Sequence, residues 1–315
     1  MILFYFVASS VTAFAAASTT VIRMNTRSYS FPIEYIVTEG ETTISGVGLF
    51  DNSAMVDFLN PAPIRLGHDH PDTFLARSIL IGENAARIDL DRPLRLYSAS
   101  TAIIGTGPLS QFAQIVPNFL LAPVSESDTE LVLNPSDPNE YAYEGNFLYT
   151  PISFTSTSLS IRGGVRLSGH SDPATVFSGP LSISFLEGLY TRIPAPIGSD
   201  LIARIHALGI RTTPDIWDSH RIRLYDVTDD HFAALPSLDI IIQGDADGST
   251  EFHIGRLEPI EYLLRGFSDE RDFTLWIDDS DDNTFELPRR VVEKLSIHFD
   301  YENNRIGFAD PLVEL

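Results

Sequence analysis

The chain of 315 residues contains no cysteine, so no disulfide can staple it and its stability must come from core burial. Lysine is almost absent too, with Lys294 the single example. The 21 basic residues face 43 acidic ones, a formal net charge of −22 at pH 7. Such a surface repels phosphate backbones and anionic lipid, which argues against nucleic-acid or membrane-surface binding. In an acidic compartment much of that self-repulsion would fade as carboxylates take up protons. After the first 17 residues no apolar run is long enough to cross a bilayer.

What is present is enough for a large fold. Hydrophobic residues make up 43% of the chain, and its length suits two lobes or one bilobal unit. Residues 2–17 are apolar and end in small residues, with Ala15 and Ala17 fitting a small-x-small cleavage site before Ser18. We read residues 1–17 as a signal peptide, although no basic residue stands near the start; a buried first helix or strand is the alternative. The mature chain is then expected to be a soluble monomer, secreted or held in the lumen of an acidic compartment.

Short β-rich runs follow, from Tyr29 to Val37, Thr42 to Phe50, Phe74 to Ile81 and Arg95 to Ile104, each bounded by Gly, Pro, Asn or Asp. The expectation is all-β. In mid-chain, Ala174-Thr175-Val176-Phe177-Ser178-Gly179-Pro180-Leu181-Ser182 predicts an apolar strand running into a Ser178-Gly179 corner. Earlier, Leu49-Phe50-Asp51-Asn52-Ser53-Ala54 ends a strand on a carboxylate followed by two turn-formers.

These two stretches resemble the active-site loops of the pepsin-like aspartic proteases. In that family an apolar strand ends on Asp-Thr-Gly, once in each lobe. The resemblance makes Asp51 the first catalytic carboxylate, with Asn52 and Ser53 in place of the loop-shaping Thr and Gly, and Phe58 at an aromatic position beyond them. It sets Phe177 at the second Asp position, ahead of Ser178 and Gly179. Asp172 and Asp200 are the alternatives should that register be shifted, and a turn or cap is the alternative role for Asp51. Nothing matches the family's Tyr-Gly flap.

Other segments carry the likeness onward. Ile103-Ile104-Gly105-Thr106-Gly107, followed by Ser110 at a helix start, resembles one family motif, and Phe147-Leu148-Tyr149-Thr150-Pro151-Ile152 another that closes the first lobe. Leu159 to Gly164 is expected to be a turn. Further on come Leu235-Pro236-Ser237-Leu238, Leu257-Glu258-Pro259-Ile260-Glu261-Tyr262-Leu263, and the most specific, Ile297 to Ala309 with its Asn303-Asn304 turn and Arg305. The resemblance implies an all-β, bilobal pepsin-like fold, with residues 18–150 and 151–315 as lobes around a cleft.

Aspartic-protease chemistry needs two facing carboxyls that share a proton, one taking a proton from water while the other donates to the peptide carbonyl. A phenylalanine can do neither. Losing one acid–base partner costs roughly 10²–10⁴-fold, so the reading is an inactive or impaired homologue that binds peptide in the cleft. A working endopeptidase active in acid is the alternative. No cofactor or metal is expected. His68 and His70 read as a solvated turn, and the acidic stretches at Asp245–Glu251 and Asp278–Asp282 as hairpin tips, since Gly248 stands at the fourth position where a calcium loop needs the sixth.

Overall fold

The computed structural model describes residues 19–25, 31–39, 42–51, 73–81, 86–97, 102–105, 107–125, 127–154, 159–168, 176–182, 191–215, 220–244, 250–265, 271–278 and 285–312. The signal-peptide stretch, His68 and His70 lie outside them, as do residues 245–249 and 279–282 of the acidic stretches.

Strands dominate. The first half holds β1 (Thr20–Asn25), β2 (Phe31–Glu39), β3 (Thr42–Asp51), β4 (Thr73–Ile81), β5 (Ala86–Tyr97) and β6 (Ala102–Gly105). Helix α1 (Gln111–Ile115), β7 (Asn118–Ser125), β8 (Asp128–Leu133) and β9 (Leu148–Phe154) follow. The second half holds β10 (Leu159–Ser168), β11 (Val176–Ser182), β12 (Arg192–Pro194), α2 (Ala195–Ala207), β13 (Arg211–Pro214), β14 (Arg221–Tyr225), α3 (Asp229–Ala234), β15 (Ser237–Gly244) and β16 (Thr250–Leu257). It closes with α4 (Pro259–Tyr262), β17 (Leu264–Arg265), β18 (Phe273–Asp278), β19 (Phe285–Glu286), α5 (Arg289–Val292), β20 (Ser296–Asp300) and β21 (Arg305–Ala309).

The all-β expectation holds, with two changes of boundary. Arg95 to Ile104 is not one strand: β5 ends at Tyr97 and β6 begins at Ala102. Leu159 to Gly164 is not a turn but the first part of β10, where alternating burial of Leu159 and Ile161 against half-exposed or exposed Ser160 and Arg162 gives the period of two that a strand requires. Gly163 belongs there for space, since a Cβ on it would run into the carbonyl oxygen of Ile241 on β15 and the side chain of Leu181 on β11.

Three sheets organise the chain. One runs β5-β4-β2-β3-β6, and a second β12-β18-β14-β13, with β17 also on β18. The third has 11 strands, in the order β1-β8-β7-β20-β21-β9-β10-β11-β19, with β15 on β10 and β16 on β15. In this large sheet the closing hairpin β20–β21 lies between β7 and β9, Phe299 opposite Phe119 and Ile306 opposite Thr150. Its turn is built as the sequence implies: Asn304 takes a left-handed φ of 52°, and Arg305 Nε donates to Asp300 Oδ2 at 2.7 Å.

A buried polar link crosses the same strands. His298 on β20 is 2% exposed; its Nε2 meets the side-chain oxygen of Asn118 on β7, and its Nδ1 lies 2.8 Å from the hydroxyl of Tyr149 on β9. An amide oxygen only accepts, so Nε2 carries the proton and Nδ1 accepts from the tyrosine. Burial, against the opposing charge of Asp300, pulls the imidazole down to about pKa 4. Phe147 packs edge-on to the ring, and Arg305 lies over Tyr149 at 4.0 Å.

Candidate functional site

Asp51 is the last residue of β3. Along β3, Phe31 of β2 faces Phe50 on the antiparallel side, while on the parallel side Phe50 faces Ile104 and Asp51 faces Gly105 of β6. A strand pair of this kind brings two carboxyl ends together, and here they deliver Asp51 beside Gly105. Beyond it, Ser110 N donates to Gly107 O at 2.8 Å, and the buried Ser110 Oγ caps α1 by accepting from Ala113 N at 3.1 Å. The expectation of a serine at a helix start is met there. Asn52 and Ser53 lie outside the described residues.

The second half repeats this arrangement, and the repeat shifts the sequence assignment. Strand β11 has β10 on its antiparallel side, with Ser160 facing Ser182, and β19 on its parallel side, with Ser182 facing Glu286. Leu181-Ser182 along β19 therefore corresponds to the end of β3 that runs along β6 into Asp51. Phe177 faces Val165 well inside the β10–β11 pair, five positions before Ser182. It does not occupy the register of Asp51. The corner expected at Ser178-Gly179 is also absent, because both residues stay extended within β11, Ser178 opposite Gly164 and Gly179 opposite Gly163. A pair of facing glycines and their neighbours lets the strands run on where a bulkier pair would have crowded Leu181 and β15.

Reading on from Ser182, the sequence is Ile183-Ser184-Phe185-Leu186, and the first carboxylate is Glu187. Phe50 is followed directly by Asp51. A signal for this register was present in the sequence: Glu286-Leu287-Pro288 stands just before α5 much as Ile103-Ile104-Gly105 stands before α1, and locating that second passage fixes which part of β11 it must face. Asp200, the other alternative, lies in α2, and Asp172 lies outside the described residues. Among the described residues no group of three or more His, Asp or Glu side chains is placed to hold a metal ion.

A solved structure settles the architecture. The chain is similar to the crystal structure of aspartic proteinase from Irpex lacteus, with a TM-score of 0.56 and 16% identity, over 94% of this chain and 98% of that one. The fold is that of the pepsin-like aspartic proteases. Neither a protein-family model nor a curated protein matches the sequence. At this identity the likeness speaks for the pepsin-like fold alone, so chemistry has to be argued from the residues. No helix among the described residues is long and apolar enough to cross a membrane.

Proposed function

We propose that this chain is a secreted pepsin-like homologue in which proteolysis is lost or strongly impaired, and which binds extended peptide between lobes formed by residues 18–150 and 151–315. The reading rests on one observation: the stretch of β3 that runs along β6 into Asp51 has its counterpart in Leu181-Ser182 along β19, and the four residues that follow Ser182 carry no carboxyl group. Without the second acid, Asp51 can orient a water molecule but has no partner to protonate the peptide carbonyl or to hold its own titration apart. The cleft keeps its capacity for strand-like hydrogen bonding to a peptide backbone, which needs no catalytic side chain.

The experiment is digestion of an unfolded protein between about pH 3 and pH 5 with the wild type and Asp51→Asn, in the presence and absence of a statine-type transition-state mimic. Lack of a second acid costs at least about 10²–10⁴-fold in general acid–base catalysis. The expected result is background cleavage by both proteins. Robust cleavage that the mimic blocks and Asp51→Asn abolishes would establish the alternative, an acid endopeptidase, and would direct attention to Glu187 as its second carboxylate.

A further inference from the structure

The large sheet has a second, smaller apolar face. Phe119, Leu121, Leu131 and Leu133 point into the main core, while the alternate residues Leu120, Ala122 and Val132 pack on the other side with Ala142, Phe147 and Ala309, against Tyr141 and Tyr149. The cover on that side is incomplete. Its turn Pro138–Tyr141 is tied to the sheet where the Ser296 hydroxyl donates to the Tyr141 carbonyl oxygen at 2.9 Å, and beside it lies a groove of about 330 Å³. Ala122 and Val124 of β7 and Glu130 of β8 line this groove together with Glu140, Tyr141 and Leu312. Glu130 stands directly opposite Ala122, so the carboxylate rises beside the apolar floor.

The groove is negative and has no base of its own. Residues 96–161 contain no Lys, Arg or His, and neither do residues 306–315, and these two segments supply the whole lining. Neither Glu130 nor Glu140 has an ion-pair partner among the described residues. Arg23 of β1 stands across from Glu130 in register, but it is outside the lining and reaches Asp128 at 3.3 Å. Exposed Asp310 precedes Leu312 by two residues, and Glu126 and Glu314, outside the described residues, add acids to the same stretches of sequence. Both lining carboxylates act on one point: the Tyr141 hydroxyl has its pKa raised, first by burial and then by the charges of Glu130 and Glu140.

We propose that this groove is a docking site for a basic peptide segment of a partner protein, one Lys or Arg side chain of which enters it. Such a side chain combines the two characters of the lining. Its methylene stem lies along Ala122 and Val124, and its charged head meets Glu130 and Glu140 beside the Tyr141 ring. The volume is at the lower end for ligand sites, enough for a side chain and too small for a folded element. Leu312, 57% exposed, offers an apolar contact to a neighbouring residue of the segment, which a free amine would leave bare. The net charge of −22 adds a long-range attraction for a basic partner. Neither Asp51 nor Glu187 lines this groove, and the proposal does not depend on the peptide site between the lobes.

The test follows amide shifts of the full-length, nitrogen-15-labelled chain during titration with an acetylated Ala-Leu-Lys-Leu-Ala amide. The control peptide has norleucine in place of lysine, which keeps the stem and removes the ammonium group. The expected result is saturable shifts at Val124, Glu130, Tyr141 and Leu312, weakened by salt and weakened about fivefold or more both by the norleucine exchange and by Glu130→Gln with Glu140→Gln. Glu140→Gln alone, at an exposed site, guards against a folding defect and should give a smaller loss of the same kind. Equal affinity for the two peptides, unchanged affinity in the double variant, or shifts confined to other residues overturns the proposal. Binding of n-butylammonium as tight as that of the lysine peptide would make the site one for free amines and would overturn it too. So would the same shifts on concentrating the protein alone, since the occupant would then be a second copy of the chain.

Discussion

The buried histidine in the large sheet should make this protein lose stability before its carboxylates titrate. His298 has an ordinary pKa of 6.5 and is drawn to about 4 in the folded chain, first by burial. The folded state thus prefers the neutral ring, and the unfolded state binds the proton more readily at intermediate pH. Stability is full above about pH 6.5 and is lost as pH falls toward 4, at up to ~1.4 kcal/mol per unit. Between pH 7.5 and 4.5 this one group removes about 2.5 kcal/mol by linkage. Urea unfolding followed across that range should show the slope in the wild type, and His298→Gln should flatten it by that amount while lowering stability at pH 7.5 through the altered bonds to Asn118 and Tyr149. Asp300 and Arg305 are the charged neighbours whose effects oppose each other on the ring. If wild type and variant give parallel stability curves, the imidazole is not held neutral and the reasoning fails. The same slope bears on function, since a protein that works in acid would carry this cost throughout its range.

Removing the carboxylate of Asp300, 5% exposed and bonded by Arg305 and by Asn303, should destabilise the fold: Asp300→Ala is expected to cost about 2–4 kcal/mol in denaturant unfolding. Burial raises the pKa of Asp300, yet the bonds from Asn303 and Arg305 bring it below the usual value, so this contribution disappears only at pH below the ordinary carboxylate range, a window distinct from that of His298. Tyr301→Phe should be neutral or stabilising by up to about 1 kcal/mol in a thermal melt, because the hydroxyl is buried with no hydrogen-bond partner among the described residues. Gly163→Ala should lower the melting temperature by several degrees, about 2 kcal/mol or more, as the added methyl meets Ile241 and Leu181.

Much of the architecture was legible because its signals are local. The β-rich run Thr42–Asp51, the Ser110 cap and the Asn303-Asn304 turn each carry their signal within a few residues. The site was half legible for the same reason. Asp51 could be placed at the end of a strand by its own neighbours. The second position could not, since Val176-Phe177-Ser178-Gly179 looks locally like a strand meeting a corner, and what keeps it extended is contributed from elsewhere: the glycines of β10, and the parallel pairing with Phe285 and Glu286 about a hundred residues away. The groove at Glu130 and Glu140 was invisible in sequence because its lining comes from β7, β8, the Pro138–Tyr141 turn and Leu312, which meet only in the folded chain.

The position of the closing hairpin also sets an order of events in synthesis. Strands β7 and β9 are made early, yet β20 and β21 sit between them, so Leu121 and Thr150 wait for Ile297 and Ile306. A ribosome must synthesise the chain through Ala309 before this sheet can close. Until then the edges of β7 and β9 stand unpaired, and the emerging chain offers strand edges to any neighbour able to pair with them. Loss of β20 and β21 would thus leave an open seam within this sheet, in contrast to the trimming of a loose tail.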